Sequence, residues 1–228
     1  MSAVGILSLG FVLGMRHATD ADHVVAVSAI VARERTLRAA APIGILWGLG
    51  HTLTVFLVGG AIILFGVVIP PHLGLAMELC VALMLVLLGG LNVGQVLRRP
   101  NSHEHGAGSH VHGMPESRAR SMRPLLVGTV HGLAGSAAIA LLVLSTIRNA
   151  FSALGYLFIF GAGTLAGMLI ITTALALPVA ATARRFARLH RAFGVITGVV
   201  SVAFGALLIY DIGFVHGLFS ANPQWLPQ

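Results

Sequence analysis

Lysine is absent from this chain, acids are few and cysteine occurs once. Charged residues make up 9% of its 228 positions, whereas a soluble domain carries about 25%. So little charge excludes a fully water-facing globular surface. The lone Cys80 excludes an intramolecular disulfide and argues against a thiol relay or a Cys-based zinc site. No Gly-x4-Gly-Lys-Ser/Thr loop is present to cradle the phosphates of a nucleotide. The His-Glu-x-x-His motif of zinc proteases is missing too, which leaves a His131–Ser136 hydrolase pair as a remote alternative. The first fifteen residues lack a basic start, so they do not form a typical signal peptide, and the first apolar run is expected to stay as a helix.

What is abundant is apolar. Hydrophobic residues make up 57% of the chain, and the mean hydropathy is +0.93. Apolar runs of about 20 residues or more match the hydrocarbon core of a bilayer. In lipid the backbone must satisfy its own hydrogen bonds, so these runs are expected to be helices. The 28 glycines agree, because small residues let membrane helices approach closely. The expected fold is an all-α polytopic membrane protein with six transmembrane helices, near residues 4–31, 40–69, 73–97, 124–147, 153–180 and 192–212. Pro70-Pro71 and Pro178 are expected to mark helix ends.

The formal charge of +7 comes from 14 arginines, nearly all in short loops between apolar runs, so nucleic acid is excluded as a partner and the lipid bilayer is expected instead. Arg33, Arg35 and Arg38 lie in the first loop. Arg98, Arg99, Arg118, Arg120 and Arg123 lie in the third, and Arg184, Arg185, Arg188 and Arg191 in the fifth. The second loop and the tail have none, and the fourth has only Arg148. Basic loops stay cytoplasmic, so both termini are expected outside.

The two halves resemble each other. Leu13-Gly14-Met15-Arg16-His17 aligns with Val127-Gly128-Thr129-Val130-His131, and Trp47-Gly48-Leu49-Gly50-His51-Thr52-Leu53 with Phe160-Gly161-Ala162-Gly163-Thr164-Leu165. Three helices per unit is an odd number, so the second unit would be inverted, an architecture common among transporters. The expected division is 1–97 for the first repeat, 98–123 for a cytoplasmic loop and 124–228 for the second repeat.

Arg16-His17-Ala18-Thr19-Asp20-Ala21-Asp22-His23 places five ionisable residues inside the first apolar run. Each charge at a helix centre costs about 2.5–3.5 kcal/mol to insert. Such a cluster calls for paired charges, a bound cation or a water-filled cavity. Arg16 and Asp20, one turn apart, are expected to pair. Imidazole and carboxylate suit Ni²⁺, Co²⁺, Zn²⁺ or Cu²⁺. On an ideal helix His17, Asp22 and His23 point in three directions, so either the helix breaks here or other helices complete the shell. Asp20, His51, within Gly48-Leu49-Gly50-His51-Thr52, and His131, the repeat mate of His17, are the further candidate ligands. Thr52, Ser136 and Thr164 are candidate supporting donors, although hydroxyls in membrane helices commonly bond their own backbone. The loop residues His103, Glu104, His105, His110 and His112 form a candidate cytoplasmic metal-binding segment. Glu78 and Asp211, with His72 and His216, are a candidate cation entrance.

Arg16-His17-Ala18-Thr19-Asp20-Ala21-Asp22-His23 resembles the His-x4-Asp-His signature of the nickel/cobalt transporter family, and Leu49-Gly50-His51-Thr52 resembles that family's Leu-Gly-His-Ser segment. The resemblance covers the first two spans well. The best-known members have eight spans with the signature in the second, while here it lies in the first, which preserves its outside-to-inside direction. The later acidic motifs of those members are replaced by His131-Gly132-Leu133-Ala134-Gly135-Ser136, as in compact urease-accessory-like or efflux-type relatives. The resemblance implies that His17, Asp22, His23 and His51 handle the metal, and that the chain is a secondary transporter of a prokaryotic cytoplasmic membrane. The expected function is uptake of Ni²⁺ or Co²⁺ as substrate, with efflux of the same ions as the alternative. No enzyme activity and no resident cofactor are expected. A non-transporting assembly factor and a homo-oligomer are both compatible with these features.

Overall fold

A computed structural model describes residues 3–32, 34, 36–97, 116–133, 147, 149–183, 186–220 and 223–225. The described residues are helical, with no strand among them. The helices are α1 (Ala3–His17), α2 (Ala21–Val31), α3 (Leu37–Phe65), α4 (Pro71–Leu97), α5 (Glu116–Leu133), α6 (Ala150–Ala183) and α7 (Ala187–Tyr210). A π-helical turn, Asp211–Val215, continues α7. Four stretches among the described residues are long and apolar enough to cross a membrane: Leu37–Phe65, Pro71–Leu97, Ala150–Thr182 and Arg188–Val215. The chain is a helical membrane protein. Large apolar side chains such as Leu57, Leu87, Phe158 and Leu207 point outward along these helices, as lipid-facing surfaces do.

The expected first span is two helices. Thr19 and Asp20 favour hydrogen bonds to nearby backbone over a helical ladder, and both leave the helix here. The Thr19 hydroxyl donates to the carbonyl of Arg16. Asp20 is extended (φ −61°, ψ 147°) and begins α2. Turn bonds close the end of α1, from the Ala18, Thr19 and Asp20 N–H groups to the carbonyls of Gly14, Arg16 and His17, and in the first turn of α2 the His23 N–H donates to Asp22 Oδ1 at 2.9 Å.

Elsewhere the helix ends follow local chemistry. The Thr36 hydroxyl accepts the Ala39 N–H at the start of α3. Gly66 closes α3 in the left-handed conformation (φ 62°), which a side chain would disfavour. Pro71 opens α4, where its missing N–H costs nothing. Pro178 does not end its helix as expected: α6 runs through it to Ala183. Membrane helices tolerate proline because neighbouring groups and local adjustment compensate for the lost hydrogen bond. The fourth predicted span begins earlier than expected, with α5, and the rest of it lies outside the described residues.

Packing follows small residues. α1 lies on α6, α3 on both α5 and α6, and α4 on α7. A Cβ on Gly14 would strike the Phe160 carbonyl, and one on Gly128 would strike that of Trp47. Likewise Gly163 abuts the Phe11 carbonyl, and Gly50 that of Leu125. Gly89 of α4 and Gly198 of α7 each abut the other's carbonyl. The short α2 contacts α4, α6 and α7, and its Ala26, Val27 and Val31 join Trp47, Leu85 and Met168 in the main core. Asn92 and Ser201 tie α4 to α7 through the Gly194 carbonyl at 2.9 Å and the Leu85 carbonyl at 2.8 Å.

Candidate metal centre

The α1–α2 break places His17 at the end of one helix and Asp22 and His23 in the first turn of the next. One face of the broken span thus presents three donors that a continuous helix would scatter. Close crossing at Gly50 and Gly128 brings His51 of α3 and His131 of α5 to the same place. All four imidazoles are buried, with His23 and His131 wholly so.

Two groups of donors emerge. His17, His23 and His51 each offer a ligand atom, all within 4.8 Å of one another, and Asp22, His23 and His131 do the same. His17 Nε2 faces His51 Nε2 at 3.2 Å. His131 Nε2 lies 3.0 Å from Asp22 Oδ2 and 3.3 Å from His23 Nδ1, and His23 Nδ1 lies 3.1 Å from Asp22 Oδ1. Two nitrogens held about 2.0–2.1 Å from one ion at a tetrahedral angle stand roughly 3.3 Å apart. The separations therefore suit a shared divalent transition metal without large rearrangement. His23 Nε2, His51 Nδ1 and His131 Nδ1 are buried and have no hydrogen-bond partner among the described residues. Unsatisfied polar atoms are costly in a protein interior, and their concentration here sets this cluster apart from a network that merely ties helices together.

Asp20 takes a different place from Asp22. Its Oδ2 accepts from His17 Nδ1 at 2.8 Å, and its side chain is 46% exposed. With Nδ1 donating, His17 keeps its Nε2 lone pair free, the arrangement by which carboxylates orient metal-binding histidines. Among the described residues no ion pair joins Arg16 to Asp20; the expected pairing is replaced by His17–Asp20. The cause is the break: once Asp20 leaves the helix, the one-turn spacing to Arg16 no longer applies, and Arg16 is exposed.

Two aromatic residues missed in the sequence support the rings. Phe160 lies 5.6 Å from His17 between centroids, and Trp47 lies 5.6 Å from His131. Their signal was present, because Trp47 and Phe160 occupy matching places in the two repeated segments. The hydroxyls divide as chemistry suggests. Thr164 donates to its own helix at the Phe160 carbonyl, 3.0 Å away, whereas Thr52 donates across to the Gly161 carbonyl of α6 at 3.2 Å. Of the expected entrance residues, Glu78, Asp211 and His216 lie within electrostatic reach of one another. Glu78 accepts from Trp225 Nε1 at 2.9 Å, and Asp211 pairs with His216 at 3.2 Å. His103, Glu104, His105, His110, His112 and Ser136 lie outside the described residues.

A broken membrane helix with buried imidazoles and a carboxylate at the break is compatible with a membrane protein that handles metal ions. The comparisons carry this to a family. The chain is 39% identical over 226 residues, 95% of each chain, to the urease accessory protein UreH of Bacillus sp. (strain TB-90). It belongs to the nickel/cobalt transporter family, on its urease-accessory side. No protein-family model matches the chain, and no solved structure does.

Proposed function

We propose that the chain is a secondary transporter that carries Ni²⁺ or Co²⁺ inward across the prokaryotic cytoplasmic membrane. The observation that carries this reading is the convergence of His17, Asp22, His23, His51 and His131 from three separate stretches of a membrane protein, with donor atoms within 4.8 Å inside each of the two groups. Family membership supports nickel or cobalt as substrate and an accessory rather than enzymatic role.

In this reading the ion sheds most of its water and is held by the imidazoles and Asp22. Asp20 orients His17. Neutral imidazoles bind metal and protonated ones do not, so protons compete with the ion and offer a means of coupling. Inward movement of a divalent cation gains about 4.6 kcal/mol per 100 mV of membrane potential.

The architecture we propose is six spans in two inverted three-helix repeats, with both termini outside. The packing supports it. Gly14–Phe160 and Gly128–Trp47 are contacts between matching positions of the two halves, as are Gly163–Phe11 and Gly50–Leu125. The reciprocal approach of Gly89 and Gly198 is what two helices on a pseudo-twofold axis would make. Rocking of one repeat against the other would then open the site alternately to each side.

Uptake of radioactive nickel into vesicles of known orientation, with a pH gradient imposed or collapsed, tests the reading. Nickel entering from the face that carries the termini is expected. Flux only in the opposite sense establishes efflux, the direction that a metal-collecting cytoplasmic His103–His112 segment would favour, and absence of flux removes the transporter reading.

A further inference from the structure

The donor geometry is not that of a single symmetrical site. One group is three imidazoles, His17, His23 and His51, with Asp20 behind His17. The other is two imidazoles and a direct carboxylate, His23, His131 and Asp22. Each has its own close pair, His17 Nε2 to His51 Nε2 at 3.2 Å and His131 Nε2 to Asp22 Oδ2 at 3.0 Å. Only His23 belongs to both. Its ring centroid lies 4.7 Å from that of His17, 5.1 Å from that of His51 and 4.1 Å from that of His131, while the His51 and His131 rings are 6.1 Å apart. His23 Nδ1 already serves the Asp22–His131 side, at 3.1 and 3.3 Å, and its Nε2 is buried without a partner among the described residues.

We propose that these are two overlapping metal subsites that share His23 and are filled one at a time, so that the ion advances by exchanging ligands around His23. The proposal rests on the transporter reading above and specifies the path within its site. A neutral imidazole donates one lone pair, so His23 serves one ion at a time. The three-imidazole subsite is the softer and the carboxylate subsite the harder, and borderline ions such as Ni²⁺ and Co²⁺ accept both ligand sets. Overlap means that each new ligand lies within reach before the last is released, so the ion never sits bare in a low-dielectric interior, where an unpaired charge is most costly.

Cobalt titration of the purified full-length protein tests this, because the visible absorption of Co²⁺ reports its ligands and geometry. The expected result is saturation at one Co²⁺ per chain, with a spectrum that is the sum of two components. His51→Ala should remove one component, and His131→Ala the other. Asp22→Asn, which keeps shape and size, should track His131→Ala and guard against a folding defect in that variant. His23→Ala should weaken binding by at least about 100-fold, because both subsites lose a ligand. Two ions bound at once would overturn the shared-ligand arrangement, as would a single component lost equally in His51→Ala and His131→Ala. Absence of cobalt and nickel binding in the unaltered protein would overturn the transporter reading itself, an outcome distinct from either of these.

Discussion

Asp20 and Asp22 differ by two positions and do different work. Asp22 sits between two imidazoles and, in the proposed site, supplies negative charge to the ion directly. Asp22→Asn preserves the shape and a hydrogen-bond acceptor for the His23 N–H but removes that charge. Nickel accumulation by cells expressing this variant is expected to fall at least about tenfold at equal protein level, since a dehydrated divalent cation then lacks its nearest counter-charge. Unaltered accumulation would remove Asp22 from the pathway. Asp20 acts through His17. Asp20→Ala is expected to raise the nickel concentration for half-maximal uptake about 10–100-fold, leave the maximal rate largely intact, and be partly rescued by Asp20→Asn, whose carbonyl still accepts from His17 Nδ1. Equal uptake curves for all three proteins would refute the positioning role.

The element that makes the site is the interruption between α1 and α2. It converts three residues of one apolar run into convergent donors, and glycine crossings bring α3 and α5 close enough to contribute His51 and His131. A side chain at such a crossing forces the helices apart. Gly128→Ala, which meets the Trp47 carbonyl, is expected to destabilise the detergent-solubilised protein by about 1–3 kcal/mol and to lower metal retention with it. Gly155→Ala has open space beside it and is expected to hold or slightly raise the melting temperature, since alanine favours a helix over glycine by about 0.8–1.0 kcal/mol. Equal melting temperatures for the two variants would show that the crossing does not set the packing.

At the scale of the molecule, the proposed transport carries the ion through the membrane field, with protons competing for its ligands. Binding of nickel to the purified protein is expected to weaken as the pH is lowered. The sign follows from competition: protonation removes the lone pair that binds the metal. Affinity that rises on acidification would show that no group that must lose its proton holds the ion. Orientation has its own test. In a Cys80→Ser background, Ser2→Cys is expected to react with an impermeant maleimide from outside, and Ser102→Cys only after the membrane is opened. The reverse pattern would invert the proposed topology.

Much of the candidate site is legible in the sequence, for one energetic reason. Polar residues are expensive in an apolar run, so His17, Asp20, Asp22, His23 and His51 stand out against their neighbours. The same contrast marks the membrane class and, through the arginines, the alternation of loops. The need for a break could be argued from helical geometry, since a continuous helix scatters these donors. His131 was harder to place: it is one histidine among many, legible only through its match to His17. What required the tertiary structure was which donors meet. The partner of Asp20, the division into two groups around His23, and the aromatic rings of Trp47 and Phe160 depend on contacts between residues far apart in the chain. Those contacts are set by how apolar helices cross, and many apolar sequences permit similar crossings. Composition and spacing determined the chemistry available to this protein; packing decided how that chemistry is arranged, because distance between helices is a property of the whole fold.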